Sequence, residues 1–194
     1  MAKSAVRRQT YHHGDLRAAL IEAGLRLLAD RAVDALSLRE IARAVGVSAT
    51  AVYRHFPDKD ALLRTLAGEG LNRLARAQHA ASGAAGGGSA GFAATGRAYV
   101  RFALANPALF RLIFASPCQD GAPGGAFPPE ALALLRANAA ASVGNDQDSD
   151  AARIASIRAW SLVHGLAMLM LDGQVPVDDA LIEAVIDRGP RPMP

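Results

Sequence analysis

Residues 37–56 read SLREIARAVGVSATAVYRHF, a stretch that carries start and stop signals for two short helices separated by two or three residues. Ser37 followed by Glu40 has the spacing of a capping box. In that motif the hydroxyl accepts from the N3 amide while the carboxylate returns to the Ser37 amide. Leu36 before the cap and Ile41 at N4 form a hydrophobic staple, and Leu38, Ile41, Ala42 and Val45 supply one apolar stripe. Gly46 suits the left-handed conformation that ends a helix. Ser48 then caps the next helix, with Val47 and Val52 as its staple. Pro57 disfavours α geometry at Phe56, so this second helix is predicted over 49–55.

Two short helices joined by a glycine turn form a helix-turn-helix, whose second helix enters the major groove of DNA. The side chains suit that use. Val52 and Phe56 recur at i and i+4 and face inward, leaving Thr50, Tyr53 and Arg54 on the solvent side as hydrogen-bond donors. Ala49 and Ala51 are small enough for close approach to base edges and for methyl contact with thymine. Asp58 can cap a further helix, and Lys59 lies in its first turn, where free amides already favour an anion such as phosphate.

Outward from this centre the pattern stays helical. Leu16, Leu20, Ala23, Leu27 and Leu28 mark one buried face of a helix over 15–31. The helix after Asp58 continues through Leu62, Leu63, Leu66 and Leu74, weakened by Gly68 and Gly70. The Ala, Gly and Ser run over 80–91 predicts a loop or hinge. A helix follows over 92–105, and Asn106-Pro107 reads as an N-cap with proline at N1, restarting a short helix through Phe114. Ser116 to Pro128 is expected to be irregular, with further helices over 129–143, 150–172 and 177–188. With 51% hydrophobic but only 5% aromatic residues, dominated by Ala and Leu, the expectation is an all-α chain of about nine helices.

The formal net charge of +3 is unevenly spread: residues 1–76 hold 13 Lys and Arg against 8 Asp and Glu, the remainder 8 against 10. A positive N-terminal third suits a polyanionic partner. The arm carrying Lys3, Arg7, Arg8, Tyr11, His12 and His13 could track the minor groove or phosphates, or be an ordinary basic tail. One cysteine, Cys118, precludes an internal disulfide, and the N-terminus lacks an apolar signal core, so a cytoplasmic location is expected. The apolar run Leu162 to Leu171 contains His164 and is too short to span a bilayer, so no membrane partner is expected. No nucleophile sits at an elbow with a base, and His12-His13 lacks companions at ligand spacing. Neither catalysis, a metal nor a cofactor is expected.

His13-Gly14-Asp15-Leu16-Arg17, Ser37-Leu38-Arg39-Glu40-Ile41-Ala42, Gly46-Val47-Ser48, Val52-Tyr53-Arg54-His55-Phe56 and Lys59-Asp60-Ala61-Leu62 follow one another in order and spacing. Residues 14–74 thereby resemble the DNA-binding domain of the TetR/AcrR family of transcriptional regulators. The resemblance implies backbone contacts to DNA from Tyr53, His55 and Lys59 and base reading at Arg39, Ala49 and Thr50. Ser37 and Ser48 stand at capping positions whose hydroxyls or amides face phosphates or serve the caps alone. Alanine at 49 offers only an apolar contact where some relatives place a long polar side chain, so base specificity is expected to lean on Arg39, Thr50 and Arg54.

Residues 75–190 are expected to form a regulatory domain. Trp160, His164 and Gly165, with Asn106-Pro107-Ala108-Leu109-Phe110, resemble the family's C-terminal domain named for a Trp-His-Gly pattern. The resemblance implies a small-molecule effector of unspecified identity and a homodimer through the helices at 150–172 and 177–188. Phe102, Phe110, Phe114, Trp160 and His164 are candidates to line the effector pocket, or are core aromatics around a satisfied histidine. A ligand-responsive repressor binding a palindromic operator as a dimer is the expected function. An activator of the same family, or a helical protein-interaction module, is the alternative.

Overall fold

The computed structural model describes residues 13–115, 135–141, 144, 146 and 148–187. The basic arm up to His12, Cys118 and the 116–128 segment lie outside the described residues. So do the side chain of His13 and the N-terminal half of the helix expected over 129–143. Among the described residues there are nine α-helices and no strand. These are α1 (His13–Asp30), α2 (Leu38–Val45), α3 (Ala49–Tyr53), α4 (Lys59–Ala84), α5 (Gly88–Ala105), α6 (Pro107–Ala115), α7 (135–141), α8 (Asp150–Leu171) and α9 (Asp179–Asp187). A 3-10 turn, Val33–Ala35, precedes α2. The chain divides into two compact units, up to Gly68 and from Glu69.

The first unit is held by the apolar stripes of its helices. Leu20, Ala23, Leu28, Leu36, Ile41, Val52, Phe56, Leu62 and Leu66 are almost fully buried. Gly24 lets α1 and α4 approach closely: a Cβ there would stand 3.0 Å from both Leu66 methyls.

The two-helix turn is closed as its residues dictate. Ser37 Oγ accepts the Glu40 amide at 3.2 Å, and Ser48 Oγ accepts the Ala51 amide at 3.2 Å. Gly46 has φ 79° and ψ 28°. Its N–H reaches the Arg43 carbonyl while Val47 N–H reaches that of Ala42, the paired bonds of a Schellman ending. One half of the capping box differs from expectation: the Glu40 carboxylate accepts the Ser37 hydroxyl at 3.1 Å and Arg31 Nη1 at 2.6 Å. A guanidinium is the stronger partner for a carboxylate than a backbone amide. Regular α3 stops at Tyr53, but the Phe56 amide still bonds the Val52 carbonyl at 2.9 Å, so the turn runs on irregularly to the position before Pro57.

In the second unit α5 packs along α8 and α9. The core comprises Leu74, Tyr99, Val100, Ala103, Phe110, Leu166, Ala167, Met170 and Ile182. The hinge expected over 80–91 is instead a break of three residues between α4 and α5. Gly91 explains the need for glycine there: a Cβ would lie 2.7 Å from Ser82 Oγ, so the residue serves the close approach of two helices. Gly70 likewise sits inside unbroken α4, where a Cβ would meet Leu109 Cδ1 at 2.8 Å and Ile113 Cδ1 at 2.9 Å. The Asn106 side chain does not cap α6. Its Nδ2 donates back to the Phe102 carbonyl at 3.0 Å, closing α5, and the chain bends by 106° into α6.

Ser149 caps α8, accepting the Ala152 amide at 3.1 Å. α8 is long and apolar enough to cross a membrane by length and composition, so the apolar stretch exceeds the one bounded at Leu162 and Leu171. One side of it fills the core through Ala152, Ser156, Leu166, Ala167 and Met170. Ile154, Ile157, Leu162 and Leu169 are 41–51% exposed.

Candidate functional site

α2 and α3 bring the sequence-predicted nucleic-acid residues to one surface of the first unit. A shallow cavity of about 440 Å³ is lined by Ser37, Leu38, Arg39, Tyr53, Pro57, Asp58 and Lys59. Four of the expected contact residues therefore border one depression, although they come from three separate helix starts or ends. Arg39, Ser48, Thr50 and Arg54 are exposed, Tyr53 is 48% exposed, and Ala49 and His55 are half-buried. Val52 and Phe56, fully buried, anchor α3 from behind. Asp58 Oδ1 accepts the Ala61 amide at 2.7 Å and so opens α4.

Two polar arrangements here were not readable from local spacing. Lys59 Nζ donates to the Asp34 carbonyl at 2.9 Å, tying the start of α4 to the 3-10 turn before α2. Glu40, the acid closest in sequence to Arg39, is held by Arg31 and Ser37, whose hydrogen bonds keep its carboxyl below the usual glutamate range. An acid paired in this way repels approaching phosphate less than an unpaired one. Arg17, on α1, stacks over the Phe56 ring with its guanidinium carbon 5.5 Å from the centroid.

The second unit contains a cavity of about 1230 Å³ between α5, α8 and α9. Small residues on facing helices leave room for it: Ala93 on α5, Ala155 and Ala159 on α8, and Ala184 on α9. At Gly96 the walls converge, since a Cβ there would lie 3.2 Å from both Ile186 and Val163. Phe92, Trp160, Val163 and Val185 add apolar wall.

Of the five aromatic or imidazole candidates, Trp160 lines this cavity. Phe102, Phe110, Phe114 and His164 do not. Phe110 is fully buried, while Phe102 and Phe114 pack against the core. Tyr99, absent from the sequence-based set, is their organiser. Its ring lies edge-on to Phe110 at 5.5 Å, and its hydroxyl is 2.9 Å from His164 Nδ1 and 3.3 Å from Trp160 Nε1. The indole N–H can only donate, so the tyrosine oxygen accepts it, while the bond between Tyr99 and His164 Nδ1 takes its direction from the imidazole tautomer. Burial lowers the His164 pKa and raises that of Tyr99, keeping both groups neutral and this relay intact.

The residues match known protein families. The model for bacterial regulatory proteins of the tetR family matches residues 20–66, and that for the tetracyclin repressor-like C-terminal domain matches residues 92–189. The HTH-type transcriptional regulator Rv1816 of Mycobacterium tuberculosis is 35% identical over 143 residues, 73% of this chain. The chain spans 58% of that relative's length. A Rhodococcus sp. RHA1 protein of unknown function superposes with a TM-score of 0.76 at 36% identity, covering 93% of this chain and 96% of its own. A possible TetR family transcriptional regulator from Streptomyces coelicolor A3(2) does so with a TM-score of 0.58 at 28% identity, over 82% and 73%. Two family models in the order of the two halves, a helix-turn-helix closed by its own caps, and relatives of the same architecture agree: this chain belongs to the tetR family of bacterial regulatory proteins.

Proposed function

We propose that the chain is a ligand-responsive regulator of transcription, a homodimer that binds a palindromic operator through α2 and α3 and releases it when a small molecule occupies its C-terminal half. The observation that carries the first part is the common surface of Ser37, Arg39, Tyr53 and Lys59, beside an α3 whose bulky apolar residue, Val52, faces inward with Phe56 just beyond it. Tyr53, His55, Lys59 and the Ser37 and Ser48 caps would position the backbone of DNA. Arg39, Ala49, Thr50 and Arg54 would read base edges. A chromosomal operator makes the cytoplasm the working compartment.

Dimerisation through α8 and α9 is supported by the exposed apolar stripe of Ile154, Ile157 and Leu169 on α8, with Gly165 open for close approach. A palindrome read by two recognition helices about one DNA turn apart needs such a pair. The effector reading is supported by the cavity between α5, α8 and α9. Ligand and DNA need only prefer different conformations for one to oppose the other. α4, whose sequence runs across the division at Gly68, is the direct chain connection between the two units.

The test is a titration of the full chain against the DNA upstream of its own gene and against random DNA at several salt concentrations. A marked preference for the upstream DNA is expected. Equal affinity for both would remove the operator reading.

A further inference from the structure

The 1230 Å³ cavity between α5, α8 and α9 is wider than the roughly 300–1,000 Å³ typical of small-molecule pockets, and its wall is mostly carbon. Among the described residues its charged lining residues are Arg97, Arg158 and Asp187. Arg97 Nη1 and Asp187 Oδ1 form an ion pair, tying α5 to the end of α9, and so cancel one another. Arg158 on α8 is different: it is exposed at the edge of the cavity and no hydrogen bond or ion pair engages it among the described residues. The other polar side chains are largely committed within the protein. Gln78 donates to the Thr95 carbonyl, the Thr95 hydroxyl to that of Phe92, and Trp160 Nε1 to Tyr99.

An apolar chamber whose described residues include one uncompensated guanidinium, at its edge, selects for a molecule of matching layout. We propose that this cavity binds an amphiphile with a carboxylate head, its acid paired with Arg158 and its apolar body lying over Ala93, Gly96, Ala159 and Val163. A guanidinium forks onto a carboxylate through two parallel N–H donors, a geometry that neither an alcohol nor an amine can use. A cationic head would meet Arg158 directly and find Asp187 already held by Arg97. The inference rests on the reading of this cavity as the effector site and adds the chemical class of its occupant.

The chain supplies its own reporter, since Trp160 is the single tryptophan and lines the cavity. The full-length protein is titrated with dodecanoate, dodecan-1-ol and dodecylamine below their micelle concentrations, following Trp160 emission. Dodecanoate is expected to bind about tenfold more tightly than the alcohol and more tightly still than the amine. Arg158→Gln should erase the preference for acid over alcohol while leaving alcohol binding within about twofold. Because Arg158 lies one turn from Ile154 on the stripe proposed as the dimer seam, sedimentation is measured beside it to establish that the variant keeps the wild-type oligomeric state. Ala159→Phe, which fills the cavity from α8, should weaken both.

Helical circular dichroism is measured in parallel to establish that each variant is folded. Equal affinity for acid and alcohol in the wild type, or an acid preference that survives Arg158→Gln, overturns the carboxylate assignment while leaving a ligand cavity. Absence of any response to the three probes overturns the assignment and the cavity reading together. Acid-selective binding that leaves operator affinity unchanged supports the assignment and instead removes the ligand-response part of the proposed function.

Discussion

The Lys59 ammonium donates to the Asp34 carbonyl at 2.9 Å, so the cation proposed to meet DNA at the start of α4 is already partnered by the protein's own backbone. One of its three N–H donors is thereby used, which leaves two for a phosphate. Phosphate neutralisation acts alike on all sequences and releases counterions. Lys59→Ala is therefore expected to weaken operator and random DNA equally and to reduce the salt slope of log K by about 0.9 for each phosphate left unneutralised. Thr50→Ala, on the exposed face of α3, is expected to leave the slope intact and change the ranking of operator variants by about 1–3 kcal/mol. Fluorescence anisotropy across a salt series separates the two; the reverse pattern would exchange the assigned roles.

Glu40 gives a prediction in pH. Its folded pKa lies below the ordinary glutamate value of 4.5, chiefly through the Arg31 hydrogen bond and then that of Ser37. A depressed carboxylate pKa contributes stability above the unfolded value, and that contribution fades as pH falls through the folded one. Thermal unfolding of wild type and Glu40→Gln should therefore differ most near neutrality and converge as the pH drops below 4.5. A difference unchanged at acid pH would mean that packing, and not charge, separates the two proteins.

The two glycines in α4 make opposite predictions although they are two residues apart. Nothing lies within 4 Å of a Cβ at Gly68, so Gly68→Ala should gain helix propensity and stabilise by up to about 1 kcal/mol. At Gly70 the added carbon would press on Leu109 and Ile113, both buried and unable to turn into solvent. Overpacking of about 1–3 kcal/mol should outweigh the same propensity gain. Denaturant midpoints that moved in the same direction for both variants would contradict this reading of the helix packing.

These cases divide what was legible in the sequence from what was not. The caps at Ser37 and Ser48 and the turn at Gly46 were readable because each is completed within about five residues, where spacing and side-chain chemistry decide the outcome. Arg31 with Glu40 and Lys59 with Asp34 join residues 9 and 25 positions apart, and no local pattern announces them. Glycines misled the reading of 80–91 because a flexible residue and a close-packing one are spelled alike; Gly91 is the second kind. The aromatic candidates stayed open to two readings, pocket wall or core, for a related reason. Large aromatics serve as ligand contacts and as core alike: Phe110 fills the core and Trp160 lines the cavity, whose other walls include alanines, which leave no signal in a single sequence.

The exposed stripe on α8 sets the last prediction. Ile157 is 51% exposed and Leu169 46%, on the side of the helix away from Ala152, Ser156, Ala167 and Met170. If the stripe is the dimer seam, a charge placed in it is buried without a partner on both protomers at once, because a two-fold interface repeats every substitution. Ile157→Glu should then convert a dimer to a monomer in analytical ultracentrifugation while helical content stays unchanged. It should also lower operator affinity steeply, since each half-site would have to be bound without the help of the other. A variant that remains dimeric with full operator affinity would move the seam off this face. One that becomes monomeric yet binds the operator undiminished would break the link between dimerisation and DNA recognition.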